Sequence, residues 1–430
     1  MELGKRASLL VTTERAVLLG ILRDTYEAEN PLHELARLTE TAGAVVVGKV
    51  TQRRQKPEPG TYVGKGKVEE LKRVCQEFKA NVVICEDDLK PSQLTHLEEL
   101  TELKVIDRTE LILDIFALRA LTHQSQLQIE LAQAEYSLPR LKRMWKHLER
   151  IEGGIGTRGP GEKQIESDRQ QIKKKISDLR HQLRKIEEQK EREVIHRNES
   201  HYTVALVGYT NSGKSTLMNQ LTHADALVEN RLFSTISTKT KEMKMGNLSF
   251  LVSDTVGFIR KLPHRLVASF QATLEEARQS QLLLHIVDSS HPECQAQIQT
   301  VEQVLAELKM QDNPILLVFN KMDQVQDLSL LELEKYSNYV QISAKTGKGL
   351  DILKQKIVEH FSKNRESVEF LLPPQASKLL SYIYDKGDVL VSSAQPEGTL
   401  FRVCFDKRDI SWFKNLLQQS NVPFQVCSVA

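Results

Sequence analysis

Cysteine is scarce: the five residues Cys75, Cys85, Cys294, Cys404 and Cys427 are scattered over 430 positions, with no C-x-x-C pair among them. That spacing argues against a zinc cluster and a disulfide framework, and a reducing cytoplasm fits it best. No apolar run approaches the roughly 18–20 residues needed to cross a bilayer. The first residues, Met1 to Gly20, lack the basic–apolar–small order of a secretory leader. Charge of one sign is also missing. The 59 Lys and Arg stand against 57 Asp and Glu, net +2, so any attraction to nucleic acid must come from local patches. There is no internal repeat and no low-complexity tract. What remains is 40% hydrophobic and 27% charged, the composition of a soluble globular chain. Its length suggests about three domains.

Four regions are expected. Residues 1–120 read as a small α/β domain. Short β-rich runs at Ala44–Val47, Val82–Cys85 and Val105–Ile106 alternate with helical stretches Val68–Phe78 and Pro91–Leu100. Residues 121–199 carry two heptad seams. Leu127, Leu131, Ala134, Leu138, Leu141, Trp145 and Leu148 form one; Ile172, Ile176, Leu179, Leu183 and Ile186 form the other. Glycines and a proline between Glu152 and Gly161 break the helix, so a long antiparallel helical hairpin with a glycine-rich tip is expected, its first arm kinked at Pro139. Residues 200–364 return to strand–helix order. Thr203–Val207, Leu248–Ser253, Leu282–Val287, Ile315–Phe319 and Val340–Ile342 are apolar runs of the kind a mostly parallel, doubly covered sheet needs. Residues 365–430 look like a small α+β unit with strands Val368–Leu372, Val389–Ser392 and Leu400–Cys404 and helices near Ala376–Tyr384 and Asp409–Gln419. Its aromatics Tyr382, Tyr384, Phe401, Phe405, Trp412 and Phe413 are expected to form its core.

The chemistry is concentrated in the third region. Gly208, Tyr209, Thr210, Asn211, Ser212, Gly213, Lys214 and Ser215 match G-x-x-x-x-G-K-S/T, follow an apolar strand directly and lead through Thr216 into a helix. Glycines there let backbone N–H groups approach phosphate oxygens, and the helix N-terminus adds partial positive charge. Lys214 supplies a full charge to the β- and γ-phosphates, and the Ser215 hydroxyl is a ligand for Mg²⁺. Asp254, Thr255, Val256 and Gly257 then end a strand: Asp254 can hold Mg²⁺ through water, and the Gly257 N–H can reach the γ-phosphate. Asn320, Lys321, Met322 and Asp323 end another. The Asp323 carboxylate offers two acceptors to the N1–H and N2–H donors of guanine, a pair adenine lacks. Ser343, Ala344 and Lys345 back the base from the far side. Four such motifs in order identify a guanine-nucleotide site, with Lys214, Thr235 and Gly257 as the groups expected to act in hydrolysis. Switch I lies in Phe233, Ser234, Thr235, Ile236 and Ser237. Thr235 is the chosen second Mg²⁺ ligand, with Thr238 and Thr240 as alternatives. Phe258 follows the switch II glycine where many small GTPases have a glutamine nearby to orient water. Slow intrinsic hydrolysis, completed by a partner or an ion, is therefore expected.

The variants of these motifs carry a resemblance. Gly208 to Thr216, Leu232-Phe-Ser-Thr235 and Asp254-Thr-Val-Gly-Phe258 resemble the HflX family of ribosome-associated GTPases. So does Ile155-Gly-Thr-Arg-Gly-Pro-Gly-Glu162, with Gln164, Glu166, Asp168 and Arg169 behind it. Tyr62-Val-Gly-Lys-Gly-Lys67 is similar to the family's N-terminal domain. The resemblance implies GTP/GDP and Mg²⁺ as ligands and binding to the large (50S) ribosomal subunit, with the hairpin tip toward rRNA near the peptidyl-transferase centre. It further implies the splitting of stalled or stressed ribosomes. By likeness to GTPases that share Asn211, a K⁺ ion at the phosphates is expected. Family members also suggest ATP at Gly64-Lys-Gly-Lys67. We expect a monomer without a membrane span. The local charge agrees with an RNA partner. Arg140 to Lys163 holds seven Lys/Arg against three acidic residues, and Lys49 to Arg73 holds eight against three. An RNA-binding GTPase acting in ribosome assembly or RNA modification remains the alternative, as does a scaffold that barely hydrolyses.

Overall fold

The computed structural model describes residues 14–23, 32–141, 160–222, 239–245, 248–260, 271–325, 331–362, 365–376, 379–420 and 422–427. The first unit is a four-stranded parallel sheet of β1 (Arg15–Leu22), β2 (Val45–Arg53), β3 (Val82–Cys85) and β4 (Lys104–Ile106), in the order β2-β1-β3-β4. Helices α1 (His33–Thr41), α2 (Lys65–Glu77), α3 (Pro91–Thr101) and α4 (Arg108–Arg119) complete it. Side chains along β1 alternate between two cores. Ala16 and Leu18 pack in a cluster with Leu35 of α1 and Ile112 and Phe116 of α4; Val17, Leu19 and Ile21 pack with Leu71 of α2 and Leu94 of α3. Both faces are covered, so the strand reads as one apolar run with no polar side. Local chemistry sets the helix starts. The Asp107 carboxylate caps α4 by accepting from the Glu110 N–H at 3.0 Å. Pro91 opens α3, where a missing N–H costs nothing.

Helices α5 (His123–Ser137) and α6 (Pro160–Ser200) follow. Leu127, Leu131 and Ala134 of α5 form a buried cluster with Ile176, Leu179 and Leu183 of α6, joined by half-buried Leu138, Ile172 and Ile186. Ion pairs Glu130–Lys175 (2.7 Å) and Glu135–Arg180 (2.6 Å) accompany the seam. At Pro139 the first arm gives way to a 3₁₀ turn, Leu138–Arg140, because proline has no N–H for the next α-helical bond. Trp145, Leu148 and the tip from Glu152 to Gly159 lie outside the described residues.

The third unit is a six-stranded sheet: β5 (Tyr202–Gly208), β6 (Lys239–Met245), β7 (Leu248–Asp254), β8 (Leu282–Asp288), β9 (Ile315–Asn320) and β10 (Tyr339–Gln341), in the order β10-β9-β8-β5-β7-β6. All neighbours are parallel except β6, which runs antiparallel to β7. Helices α7 (Lys214–Thr222), α8 (Gln271–Arg278), α9 (Cys294–Glu307) and α10 (Leu350–Ser362) cover it. The order reverses beside β5, and the crevice beyond the carboxyl ends of such strands is where open α/β sheets hold ligands. The edge strand β6 has a sequence, KTKEMKM, that is charged at four of its seven residues and buries only Met243. An apolar search passes over it.

The last unit is an antiparallel sheet of β11 (Arg365–Leu372), β12 (Asp388–Gln395), β13 (Gly398–Asp406) and β14 (Phe424–Cys427), in the order β12-β13-β11-β14, with α11 (Leu379–Lys386) and α12 (Lys407–Gln419). Phe370, Phe401, Phe405 and Phe413 fill its core. Two of the aromatics expected there do not. Tyr384 is 63% and Trp412 52% exposed, because the outer faces of α11 and α12 carry them. Among the described residues no helix is long and apolar enough to cross a membrane.

Candidate nucleotide-binding site

β5 delivers the chain to the switch point and the loop from Gly208 to Gly213 carries it into α7. Gly208 sits at φ +149°, and a Cβ there would lie 2.3 Å from the Ile286 carbonyl oxygen, so the turn admits no side chain. Asn211 adopts φ 62°, which asparagine tolerates better than most residues. Lys214 opens α7. Its Nζ, 6% exposed as a residue, donates to the carbonyls of Gly208 (3.0 Å) and Tyr209 (2.8 Å). Burial pushes its ammonium down to about 8, against the opposing pull of the Asp254 carboxylate. The Thr210 and Ser212 hydroxyls are buried and have no hydrogen-bond partner among the described residues. Two unused donors beside a buried cation and a helix N-terminus fit a polyphosphate. Ser215 Oγ donates to Asp254 Oδ2 at 2.7 Å, which sets a hydroxyl and a carboxylate side by side, the oxygen pair that Mg²⁺ takes. Thr216 is half-buried in the first turn of α7.

Switch II begins where β7 ends. Thr255 Oγ1 donates to the Leu206 carbonyl at 2.7 Å and Val256 joins the core, so within this motif only the Asp254 carboxylate and the Gly257 backbone are left to face a ligand. A Cβ on Gly257 would come within 2.8 Å of Thr210 Cγ2 and 3.1 Å of Lys214 Nζ. Only glycine allows so close an approach. The Phe258 backbone pairs with the P-loop: its N–H donates to Gly208 O (3.1 Å) and its carbonyl accepts from Thr210 N–H (2.7 Å). Its ring is buried, turned into the core rather than toward any attacking water.

At the base-binding end, Asn320 is a strut. Its Nδ2 donates to the Ser212 carbonyl (2.8 Å) and its Oδ1 accepts from the Ala344 N–H (2.9 Å), tying the P-loop to the last loop. Ser343 Oγ donates to Asp323 Oδ1 at 2.6 Å, and that bond holds the Asp323 carboxyl below its usual range. The Asp323 carboxylate is therefore ionised and pre-aimed, but it is exposed. A base stacked over it would supply the burial that the carboxylate lacks. Lys321 pairs with Asp288 at 2.6 Å, Met322 packs half-buried against Val287 and Phe319, and Lys345 is exposed. Switch I residues Phe233, Ser234, Thr235, Ile236 and Ser237, with Thr238, lie outside the described residues. Thr240 lies on β6, where its hydroxyl meets Ser253 Oγ (2.9 Å) and Glu276 (3.1 Å). Gly64 precedes α2; its N–H donates to Gln52 Oε1 at 2.9 Å, and Lys67 pairs with Glu70 at 2.6 Å.

Two side chains here have roles that no sequence motif marks. His285 of β8 is buried and pushed down to about 3 by burial, then by Lys214, so it is neutral at any ordinary pH. Tyr209 shares only its backbone with the P-loop; its hydroxyl reaches Glu34 of α1, 175 residues away in sequence.

The Lys214 value predicts a pH dependence. Free protein loses this proton near pH 8, and phosphate binding favours the charged form. Nucleotide affinity should then hold steady to about pH 7.5 and fall by up to roughly tenfold per unit above 8. Titrating a fluorescent GDP analogue between pH 7 and 9.5 checks this. A flat profile would place the lysine's free-state proton well above 9.

Three family models match the chain in succession: "GTP-binding GTPase N-terminal" at residues 29–117, "GTP-binding GTPase Middle Region" at 119–197 and "50S ribosome-binding GTPase" at 203–321. The GTPase HflX of Lacrimispora saccharolytica is 42% identical over 92% of this chain and 96% of its own length. The GTPase HflX of Escherichia coli K12 is 42% identical over 86% and 88%. Among solved structures, a GTP-binding protein from Sulfolobus solfataricus in complex with GDP is 27% identical over 81% of this chain and 98% of its own, with a TM-score of 0.43. The P-loop, the Asp254–Gly257 strand end and the Asn320–Asp323 loop lie at the carboxyl ends of β5, β7 and β9, and with 42% identity to the two HflX proteins along most of the chain they make this protein a guanine-nucleotide-hydrolysing member of the HflX GTPase family.

Proposed function

We propose that this GTPase docks on the large ribosomal subunit in its GTP-bound form, splits stalled or stressed ribosomes, and is released by hydrolysis. The observation that carries the reading is the match of residues 203–321, the segment holding the P-loop and switch II, to the model described as a 50S ribosome-binding GTPase. A groove between α5 and α6, lined by Arg169, Lys173, Arg180 and Arg184 against the single carboxylate of Glu135, supports it, since an excess of Lys and Arg is what RNA phosphates attract. In this reading the arms 121–199 form an antiparallel hairpin that reaches toward rRNA near the peptidyl-transferase centre. The units 1–120, 200–364 and 365–430 flank it in a monomer. Ser215 and Thr235 would ligate Mg²⁺, with Asp254 holding it through water. A K⁺ ion beside Asn211 would offset phosphate charge, and Lys214 and Gly257 would contact the γ-phosphate.

The test is GTP turnover by the protein alone, with small subunits and with large subunits. Stimulation by the large subunit only is expected, on the order of 10²-fold or more, because the buried Phe258 leaves the water-orienting group to a partner. Equal rates with all three would remove the ribosome reading and leave the GTPase. Sedimentation of intact ribosomes after incubation with protein and GTP separates splitting from simple docking.

A further inference from the structure

The carboxyl edge of the N-terminal sheet, where strand order reverses between β1 and β3, is occupied by the G domain. Arg108, at the first position of α4, is 1% exposed. It pairs with Glu34 of α1 at 2.5 Å and with Glu86, just beyond β3, at 3.1 Å. Its Nη2 also donates to the main-chain carbonyl of Arg260 at 3.0 Å. The second Glu34 oxygen accepts from the Tyr209 hydroxyl at 2.5 Å, and the Tyr209 oxygen accepts from the Arg260 N–H at 2.8 Å. The bonds close a ring: Arg108, Glu34, Tyr209, Arg260 and back to Arg108. Both peptide groups of Arg260 are held, one by the P-loop tyrosine and one by the N-terminal domain. Arg260 lies three residues past Gly257. Between them, Phe258 and Ile259 are buried in one cluster with Leu35, Ile112 and Phe116 of the N-terminal domain.

We propose that Arg108 is a positioning residue for GTP hydrolysis: from the N-terminal domain it fixes switch II at the P-loop through the Arg260 peptide, with Glu34 and Tyr209 as the coupling. The ring holds the chain just after Gly257, and so holds the Gly257 N–H where it can meet a γ-phosphate. GDP has no γ-phosphate and does not use that N–H. Loosening the ring therefore acts on the GTP-bound form and on turnover, and leaves GDP affinity alone. A guanidinium in a fixed fork can serve two carboxylates and a carbonyl together; an ammonium on a flexible stem cannot.

The inference rests on the GTPase assignment and not on the ribosome reading, so the full-length protein is tested alone. Tyr209→Phe keeps the ring in the core and removes one hydroxyl. Arg108→Met removes the cation, and Glu34 and Glu86, 23% and 18% exposed, retain some contact with water. In each variant kcat for phosphate release and affinity for a non-hydrolysable GTP analogue should fall about tenfold, with GDP affinity unchanged. Because both residues act in one ring, the double variant should lose little more than either single one. Arg108→Lys should recover only part of the loss. If Arg108→Met fails to fold, Tyr209→Phe decides alone. An unchanged or raised kcat with unaltered analogue affinity overturns the proposal, as does an equal loss of GDP affinity, which would mark a structural role.

Discussion

Replacing Lys214 with alanine should lower GTP turnover by on the order of 10³-fold. The side chain is buried, so no solvent cation can take its place, and its Nζ already lies between the Gly208 and Tyr209 carbonyls at the mouth of the P-loop. Charge on the γ-phosphate oxygens builds during transfer, and a fixed cation in a water-poor cradle stabilises it more than solvent does. The change also relieves a cost, because burial alone opposes the ammonium. The variant should therefore fold at least as well as the parent, and lost activity would not reflect unfolding. Multiple-turnover phosphate release, alongside a thermal melt, checks both halves. A variant that keeps a tenth of the parent rate would remove Lys214 from the chemistry.

Asp323→Asn should change which base is bound. A carboxylate here would accept from N1–H and N2–H of guanine; an amide would set its own donor against one of them. GTP affinity should fall about 10³-fold, or about 4 kcal/mol. Xanthine carries an oxygen where guanine carries the N2 amine, so the amide can accept from N1–H and donate to that oxygen, and affinity for xanthosine triphosphate should rise. Ser343 keeps its hydrogen bond to either side chain, so the loop need not move. Competition of unlabelled GTP, XTP and ATP against a fluorescent guanine nucleotide reads the result directly. If XTP binds the variant no better than the parent, the base does not sit on Asp323.

Much of this protein is legible in its sequence. The P-loop, switch II and the two base-side motifs were readable because each depends on local backbone geometry. A glycine at φ +149°, a helix starting at its lysine and a carboxylate at a strand end are all specified within a few residues. The seams of α5 and α6 were legible for the same reason, since a heptad is a local period. Elements without such a period leave no such mark. β1 is apolar on both faces, and β6 is polar because it is an edge. α4 carries a local start signal in its Asp107 cap, but the strand it packs on has no polar face to reveal a period.

Sequence alone thus carried the motifs: the P-loop, the Asp-Thr-Val-Gly strand end, the Asn-Lys-Met-Asp loop and the side chains that bring charge to them. The folded chain decided how those parts are held together. Asn320 becomes a strut only when its two backbone partners, 108 and 24 residues away, are brought to it. Tyr209 looks like one more P-loop residue until its hydroxyl meets Glu34, and Arg108 is an ordinary surface-type residue until burial leaves it two carboxylates and a switch II carbonyl. Such contacts are set by the docking of one domain on another. They leave no periodic mark in the sequence, because a single polar side chain per element suffices to make them.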